Sequence, residues 1–407
     1  MSGVGGPGQP GAFPPAALTV PPDLLSRRRR RSSVTLTVVL SVLMVLGAGV
    51  MALVLLASNA PGALVIGVLL AAIPVGPVIA AFVWLDRYEP EPVKVLAAAF
   101  AWGAVVATAA ALVLQALDQF VLGTPEDWSA AIVAPITEEA AKGAFIVFLV
   151  WLRRHVIDGL LDGIVYAGMI GVGFAFTENI LYLGAAYMGS EDMGPGGLGN
   201  ALGVFVMRGI FSPFAHPLFT AFIGLGVGYA AVRHTPAARV VAPLVGYVLA
   251  VAAHAAWNGA AFFGGGQAFV MTYLFLMVPA FLMFTAFAIW ARAREARMLT
   301  RALTDAANRG FLGHAEVPWL VRLPARRVSR SHARLYGGPL GERVMREYQQ
   351  QAVELGFLHD RYLRGTAPAD FAERGTAMVR HLDALRPYVL FPHPVGTAPT
   401  TSWEASR

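Results

Sequence analysis

Residues 34–57 read VTLTVVLSVLMVLGAGVMALVLLA, a run without a single charged side chain. A helix needs about 20 such residues to cross the roughly 30 Å of hydrocarbon in a bilayer. Further apolar segments of comparable length follow along the chain. They lie at about 61–85, 93–117, 128–151, 163–187, 201–232, 240–263 and 268–291. The sequence therefore predicts an all-α polytopic membrane protein with about eight transmembrane helices.

The composition supports a membrane protein and narrows its chemistry. Of the 407 residues, 56% are hydrophobic and only 14% are charged, against about 25% charged residues in a soluble domain. The chain has no cysteine, which excludes disulfides, thiol catalysis and thiolate metal sites, so a metal would need His or carboxylate ligands. We attribute the net charge of +6 to cytoplasmic loops and expect no nucleic acid partner.

The apolar region, residues 34–291, is flanked by two polar segments. Residues 1–31 are rich in Gly, Pro and Ala and predict a disordered, basic N-terminal segment. The first apolar run is longer than the roughly 7–15 residues of a cleavable signal, so we expect it to be retained. Residues 292–407 are charged and predict a cytoplasmic tail. We expect tail helices near 294–309, 340–358 and 369–385, and solvated histidines at His314, His332, His359, His381 and His393.

Basic residues mark alternate junctions between the apolar segments and predict the orientation of the chain. These junctions hold Arg27–Arg31, Arg87 with Lys94, Arg153 with Arg154, Arg233 with Arg239, and Arg292 with Arg294. The other junctions contain no Lys or Arg. Because cytoplasmic loops are enriched in positive charge, we expect an even number of spans, with both termini on the cytoplasmic side of a bacterial membrane.

The fourth apolar segment contains three ionisable residues, in the sequence Ile136-Thr137-Glu138-Glu139-Ala140-Ala141-Lys142. A charged side chain at the bilayer centre costs at least about 2.5–3.5 kcal/mol, so it requires a partner or a water-filled cavity. Helical spacing brings Lys142 within reach of both carboxylates. Since one lysine leaves one carboxylate unpaired, a functional role is favoured over simple charge neutralisation.

The fifth and sixth segments also carry polar residues within apolar helices. Glu178 lies beside Asn179 in the fifth, and His216 lies in the sixth, about two turns after Arg208. Prolines flank His216 on both sides, which predicts broken backbone hydrogen bonds and a kinked helix lining a cavity. A lone histidine of this kind can equally be a hydrogen-bonding residue between helices.

The seventh segment carries His254 and Asn258 on one helical face, four residues apart. Alone, this pair is compatible with a polar clamp between helices. In the predicted topology, however, Glu138, Glu178, His216 and His254 lie at a similar depth, about 12–22 Å from the outer ends of their helices. The common depth predicts a single intramembrane site.

Such a site can hydrolyse a peptide bond, which requires a base, an acid, and donors or a cation for the oxyanion. The candidate catalytic residues are Glu138, Glu139, Glu178, His216, His254 and Asn258, with Lys142, Asn179 and Arg208 in support. One of the adjacent glutamates serves as base in one interpretation, with the histidines and the amide stabilising the oxyanion. In another, His216, His254 and Glu178 bind a divalent metal such as Zn that acidifies water. The sequence leaves both open.

These motifs together resemble the PrsW family of bacterial intramembrane proteases, part of the group that includes CAAX-prenyl-processing and Abi-type proteases. The resemblance covers roughly residues 60–290. It rests on Asp86-Arg87-Tyr88-Glu89-Pro90-Glu91-Pro92, Glu138-Glu139-Ala140-Ala141-Lys142, Phe174 through Glu178-Asn179, His216, and His254 with Asn258. It implies metalloprotease-like cleavage of single-span membrane regulators in stress signalling, with Glu138, Glu139, Glu178, His216 and His254 as catalytic residues. By itself, the sequence of residues 86–92 predicts a solvated loop with a structural or gating role.

Two other functions use the same residues differently. A proton- or ion-coupled transporter also needs buried Glu and His residues, although no repeat between the two halves of the chain is apparent. A scaffold that recruits partners through its tail would use the polar residues only to hold helices together. The doubled glutamate favours the protease.

Overall fold

The computed structural model describes residues 20–25, 34–58, 61–152, 156–157, 159–190, 194–233 and 235–392. These residues form helices and connecting turns, and no strand is found among them. The chain divides into two compact units, one of residues 30–293 and one in which residues 294–407 group with the N-terminal residues. Arg27–Arg31, Arg153, Arg154, His393 and most of the N-terminal segment lie outside the described residues.

Eight helical segments lie between residues 34 and 308 in the described part of the chain. They are α1 (Val34–Ser58), α2 (Pro61–Leu85), α3 (Val93–Val121), α4 (126–152), α5 (Leu160–Met188), α6 (Gly197–Arg233), α7 (Pro236–Phe262) and α8 (Gly265–Asn308). Seven are long and apolar enough to cross a membrane. The exception is α4, whose hydropathy is lowered by Glu138, Glu139 and Lys142. The all-α class and the predicted count of about eight spans are confirmed.

Helix α5 is the most buried of the spans, and small residues let its neighbours approach closely. A Cβ atom added to Gly163 would lie only 2.0 Å from the carbonyl oxygen of Gly224 in α6. One added to Gly171 would lie 2.8 Å from the carbonyl oxygen of His216. Backbone contact between α5 and α6 is therefore possible only with glycine at these positions, and it sets the spacing between Glu178 and His216.

Four of the helices contain a π-helical turn, a local irregularity that is frequent at functional sites. These turns are Trp102–Ala107 in α3, Ser129–Val133 in α4, Val206–Phe211 in α6 and Tyr273–Met277 in α8. Helix α6 is interrupted at residues 212–214, next to its π turn. This interruption confirms the kink predicted from the prolines around His216. It arises because Pro213 has no backbone N–H to donate.

The turn after α2 is only partly solvated: Arg87, Pro90 and Pro92 are exposed, but Asp86 is buried, so the interpretation as a solvated loop is wrong for this carboxyl. The backbone N–H of Glu91 donates to Oδ2 of Asp86 at 2.7 Å. The hydroxyl of Tyr166 in α5 donates to Oε2 of Glu91 at 2.6 Å. Only 7% of Asp86 is exposed, and this burial raises the pKa of its carboxyl to about 7. The turn is thus fixed against the central helix.

The C-terminal unit contains α9 (Val317–Val321), α10 (Leu323–Leu363) and α11 (Phe371–Leu385). Helix α10 bends at Gly338, which has a positive φ of 63° and precedes Pro339. The helix predicted near 340–358 corresponds to the part of α10 after this break, residues 339–363, whereas the part before it, which begins at Leu323, was not predicted. His359 also departs from the predicted solvated state, since it is buried and its Nε2 lies 2.6 Å from Oδ2 of Asp305.

Candidate active site

Four helices contribute ionisable side chains to one cluster inside the membrane unit. Helix α4 supplies Glu138, Glu139 and Lys142, and the last two are completely buried. Helix α5 supplies Glu178, α6 supplies His216 and Arg208, and α7 supplies His254. The common layer predicted from their depth is therefore present, and it joins side chains that are up to 116 residues apart in the sequence.

The ammonium group of Lys142 lies at the centre of the cluster. Its Nζ donates to Oε1 of Glu139 at 2.9 Å and to Oε2 of Glu138 at 3.3 Å. It also lies 3.1 Å from Nδ1 of His216. The spacing of the α4 residues produces the first two contacts, since side chains three and four residues apart share a helical face. The third contact connects α4 to α6.

Glu139 is held by donors on both oxygens and orients His254. Oε1 lies 3.0 Å from Nδ1 of His254, and Oε2 accepts from the hydroxyl of Thr220 at 3.0 Å. Since an ionised carboxylate only accepts hydrogen bonds, Nδ1 of His254 carries the proton. The other ring nitrogen, Nε2, is then left with its lone pair and faces Oε2 of Glu138 at 3.8 Å. Glu139 is completely buried and thus fixes the imidazole.

Glu178 and Arg208 perform the same task for His216. Nε2 of His216 lies 2.7 Å from Oε2 of Glu178, so the proton resides on Nε2 and Nδ1 is an acceptor. The guanidinium of Arg208 donates to Glu178 and, through Nε, to Oδ1 of Asn179 at 2.7 Å. It also stacks on Tyr182, 4.0 Å from the ring centroid. This guanidinium therefore fixes both Glu178 and Asn179.

Aromatic rings enclose the cluster. The Lys142 ammonium lies 3.7 Å from the centroid of Phe174, whose ring is also 5.2 Å from that of His216. The ring of Phe219 stacks on His254 with 4.8 Å between centroids. Such walls exclude water and strengthen each electrostatic interaction inside.

A metal-binding set is present, but it differs in one residue from the predicted set. Glu138, His216 and His254 each offer a ligand atom, and these atoms lie within 4.8 Å of one another. The predicted carboxylate ligand, Glu178, instead pairs with Arg208 and His216. Two histidines and a glutamate form a known donor set for catalytic zinc, so the described residues fit a divalent metal in type and spacing. Lys142 at present donates to two of the three.

The charge balance of the cluster also favours an additional cation. The three carboxylates of Glu138, Glu139 and Glu178 face two permanent cations, Lys142 and Arg208. With neutral histidines this leaves one uncompensated negative charge in a buried site, which is costly in a bilayer. A proton held by the cluster would neutralise this charge, and a divalent metal ion would change it from one negative to one positive charge.

Asn258 is not part of the cluster, contrary to its predicted role as an oxyanion donor. Its side-chain amide donates to the carbonyl oxygen of Ala130 at 2.9 Å and links α7 to the π turn of α4. This is the polar clamp that the sequence left as the alternative. Conversely, Thr220 was not predicted, although it lies four residues after His216 and therefore on the same helical face.

The central part of the chain matches a known family. Residues 91–284 match the model described as "PrsW family intramembrane metalloprotease". This stretch contains every residue of the cluster.

Similar curated proteins include three named Protease PrsW. The protein of Geobacillus kaustophilus is 27% identical over 145 residues, which cover 36% of this chain and 58% of the relative. That of Bacillus subtilis is 31% identical over 98 residues, 24% of this chain and 44% of the relative. That of Clostridioides difficile is 29% identical over 156 residues, 36% of this chain and 60% of the relative. The chain thus spans about half the length of these relatives. No solved structure gives a significant match.

Proposed function

We propose that this chain, whose residues 91–284 form a PrsW-family domain, is an intramembrane endopeptidase that hydrolyses a peptide bond of a membrane-embedded substrate. The observation that carries the proposal is the buried cluster of Glu138, His216 and His254. It combines a carboxylate and two imidazoles in an enclosed apolar site. General acid–base hydrolysis requires these groups, and a scaffold does not.

Glu138 is the carboxylate that receives the proton of the attacking water. The two oxygens of Glu139 accept three hydrogen bonds at 2.9–3.0 Å. The corresponding contacts of Glu138 are longer, at 3.3 Å from Lys142 and 3.5 Å from Gln115. Glu138 is therefore the less engaged of the two and the better base. Nε2 of His254 faces the same carboxylate and accepts a hydrogen bond from the same water.

His216 transfers a proton to the departing amine. Glu178 holds its Nε2–H, so the unprotonated Nδ1 faces the cluster. As the water oxygen bonds to the carbonyl carbon, its proton goes to Glu138; that proton then passes to Nδ1 and on to the amine as the C–N bond breaks. The positive charge of Lys142 lies beside Nδ1 and beside Glu138. It therefore stabilises negative charge that develops on the carbonyl oxygen during attack. Glu139, Glu178, Asn179 and Arg208 position these groups without contacting the substrate.

In the alternative scheme, a divalent metal such as Zn, when bound, would be held by Glu138, His216 and His254, which would then act as ligands instead of in the acid–base roles above. It would supply Lewis acidity and lower the pKa of water. The hydrogen bond between Glu139 and Nδ1 of His254 supports this assignment, because metal-binding histidines usually donate their other N–H to a carboxylate or carbonyl. Lys142 must then release Nδ1 of His216 and keep its bond to Glu139.

The substrate is a single-span membrane protein, such as a regulator in stress signalling, that enters from the bilayer. A cavity of about 180 Å³ supports this entry route. It is lined by Met207, Phe211, Trp257, Phe269, Val270 and Tyr273. Trp257 lies one helical turn after His254, and it packs in the same apolar cluster as Phe219. Since an apolar cavity of about 150 Å³ holds a benzene ring, this one can receive a large apolar side chain near the scissile bond.

The protein lies in a bacterial cytoplasmic membrane with both termini on the cytoplasmic side. The absence of Lys and Arg from alternate junctions of the sequence supports this orientation. Residues 294–392 belong to the cytoplasmic unit of the chain.

Reconstitution of the purified protein with a single-span substrate tests the activity. We expect cleavage by the wild type and its loss in Glu138→Gln and His254→Ala. Glu126→Gln is a matched control, because this exposed glutamate lies on the same helix, α4, three turns before the site. Cleavage by purified Glu138→Gln at the wild-type rate would exclude the assignment. Proton flux through the vesicles without cleavage would support a transporter instead.

Metal dependence needs a separate measurement. We expect about one equivalent of metal per wild-type chain by elemental analysis, and much less in His254→Ala. A chelator should stop cleavage, and Zn²⁺ should restore it. Cleavage that persists in metal-free protein would remove the metal and leave Glu138 as base.

A further inference from the structure

The first half of α10 carries apolar and basic side chains on one exposed face. Val328 is 54% exposed, Leu335 is 73% exposed and Tyr336 is 55% exposed. Arg327 and Arg334 are exposed beside them. We call Arg327, Val328, Arg334 and Leu335 the basic-apolar face. Large apolar side chains in such a group are uncommon on a water-facing surface and mark interaction sites.

The helical spacing explains why these residues share a face. Val328 and Leu335 are two turns apart, as are Arg327 and Arg334, and each pair therefore projects in one direction. The opposite side of the helix carries Ser329 and Ala333, both completely buried in the C-terminal unit. The exposed side therefore has no role in the core of this unit.

The surrounding charge has one sign. Residues 322–346 contain seven arginines and a single acidic residue, Glu342. The exposed arginines are Arg322, Arg327, Arg334, Arg343 and Arg346. Arg334 and Arg346 pair with Glu342 at 3.1 and 2.7 Å. Exposed pairs of this kind contribute little free energy, so these arginines can turn to another anion.

We propose that the basic-apolar face binds anionic lipid headgroups. These lipids belong to the leaflet at which the apolar part of α8 leaves the membrane. Basic residues near a membrane surface attract anionic lipids, and apolar side chains between them reach the boundary with the acyl chains. Chain connectivity supports a lipid partner, because the unit follows directly from a candidate span that runs to Asn308. A nucleic acid would neutralise the arginines but would leave Val328 and Leu335 in water. The proposal is independent of the proteolytic activity.

Site-specific labelling tests this binding in the full-length protein. The chain has no cysteine, so Leu335→Cys and Val328→Cys each accept one environment-sensitive dye. Leu363→Cys is the matched control, since this leucine is 47% exposed at the far end of the same helix. The labelled proteins are reconstituted in phosphatidylcholine vesicles with or without phosphatidylglycerol. Quenching by lipids with a spin label near the headgroup is then measured.

We expect strong quenching at positions 328 and 335 only in the anionic vesicles, and none at 363. The triple variant Arg322→Gln, Arg327→Gln, Arg334→Gln should lower the ratio of docked to free unit by about 100-fold, which follows from the attraction of each basic residue to an anionic surface. High salt should have a similar effect. Equal quenching in both vesicle types, or a dye response to added RNA but not to lipid, would overturn the proposal.

Discussion

Nζ of Lys142 lies 3.1 Å from Nδ1 of His216, a contact that joins residues 74 positions apart in the chain. The same ammonium group donates to Glu138 and Glu139. A single buried cation therefore connects Glu138, the proposed base, with the carboxylate that orients His254 and with the second histidine. It is also the cation that a metal ion would partly displace.

Lys142→Met should destabilise the folded protein. The change leaves two buried carboxylates without their cation, and breaking a buried ion pair in this way costs about 3–5 kcal/mol. Thermal unfolding in detergent measures the loss. Because the variant retains Glu138, His216 and His254, we expect added Zn²⁺ to restore part of the stability. An unfolding temperature equal to that of the wild type would contradict the central position of Lys142.

The sequence predicts the helical class, the span count and the shared depth of Glu138, Glu178, His216 and His254. These features follow from hydropathy and from the cost of burying charge, and both are local properties of the chain. Pairing between helices is not local. The choice of Glu138 rather than Glu178 as the carboxylate next to both histidines depends on helix rotation, which the spacing along one helix does not define. The same limit applies to Asn258, whose partner Ala130 has only a backbone carbonyl to offer.

The C-terminal unit shows a second limit of the sequence. The helix from Leu323 was not predicted, because its buried face is formed by short residues such as Ser329 and Ala333 instead of large apolar ones. Arg326 is also buried there, at 3% exposure. A search for hydrophobic periodicity therefore finds no apolar stripe in this segment.

Arg208→Lys should slow catalysis although the charge is conserved. The guanidinium donates to Glu178 and to Asn179 at the same time, and lysine lacks this planar fork. Loss of a group that orients a catalytic histidine typically costs about 10–100-fold. We expect this loss in kcat, with little change in KM, because Arg208 does not contact the substrate.

The control for this variant is Arg233→Lys. Arg233 lies on the same helix and also stacks on a tyrosine, Tyr229, at 5.3 Å, but it is distant from the cluster in sequence. Its substitution should leave kcat unchanged. Equal effects of the two substitutions would show that Arg208 acts only through general packing of α6.

Val270→Trp should change the substrate preference by filling the apolar cavity that Val270 lines together with Trp257 and Tyr273. We expect kcat/KM for a substrate with Leu or Phe next to the scissile bond to fall by about 10–200-fold, the range in which pocket size discriminates side chains. A substrate with Ala at that position should be cleaved nearly as well as by the wild type. Phe275→Trp is the control, because Phe275 lies on the same helix and is 74% exposed, outside the cavity lining. A uniform loss for both substrates would show that the cavity does not receive the side chain.

Asp86→Asn should stabilise the protein at pH 8 but not at pH 4. Burial raises the pKa of this carboxyl to about 7 from a usual value of 3.8, so the folded state holds the proton more tightly than the unfolded state. The stabilising contribution is therefore complete below pH about 3.8 and is lost as the pH rises through about 7, by about 1.4 kcal/mol for each pH unit between the two values. Asparagine is neutral at every pH, and its side-chain oxygen can still accept from the N–H of Glu91.

Unfolding temperatures in detergent from pH 4 to 8 should diverge for the variant and the wild type as the pH increases. The exposed Asp127→Asn should show no such divergence, and parallel curves for Asp86→Asn would mean that Asp86 is ionised in the folded protein throughout this range.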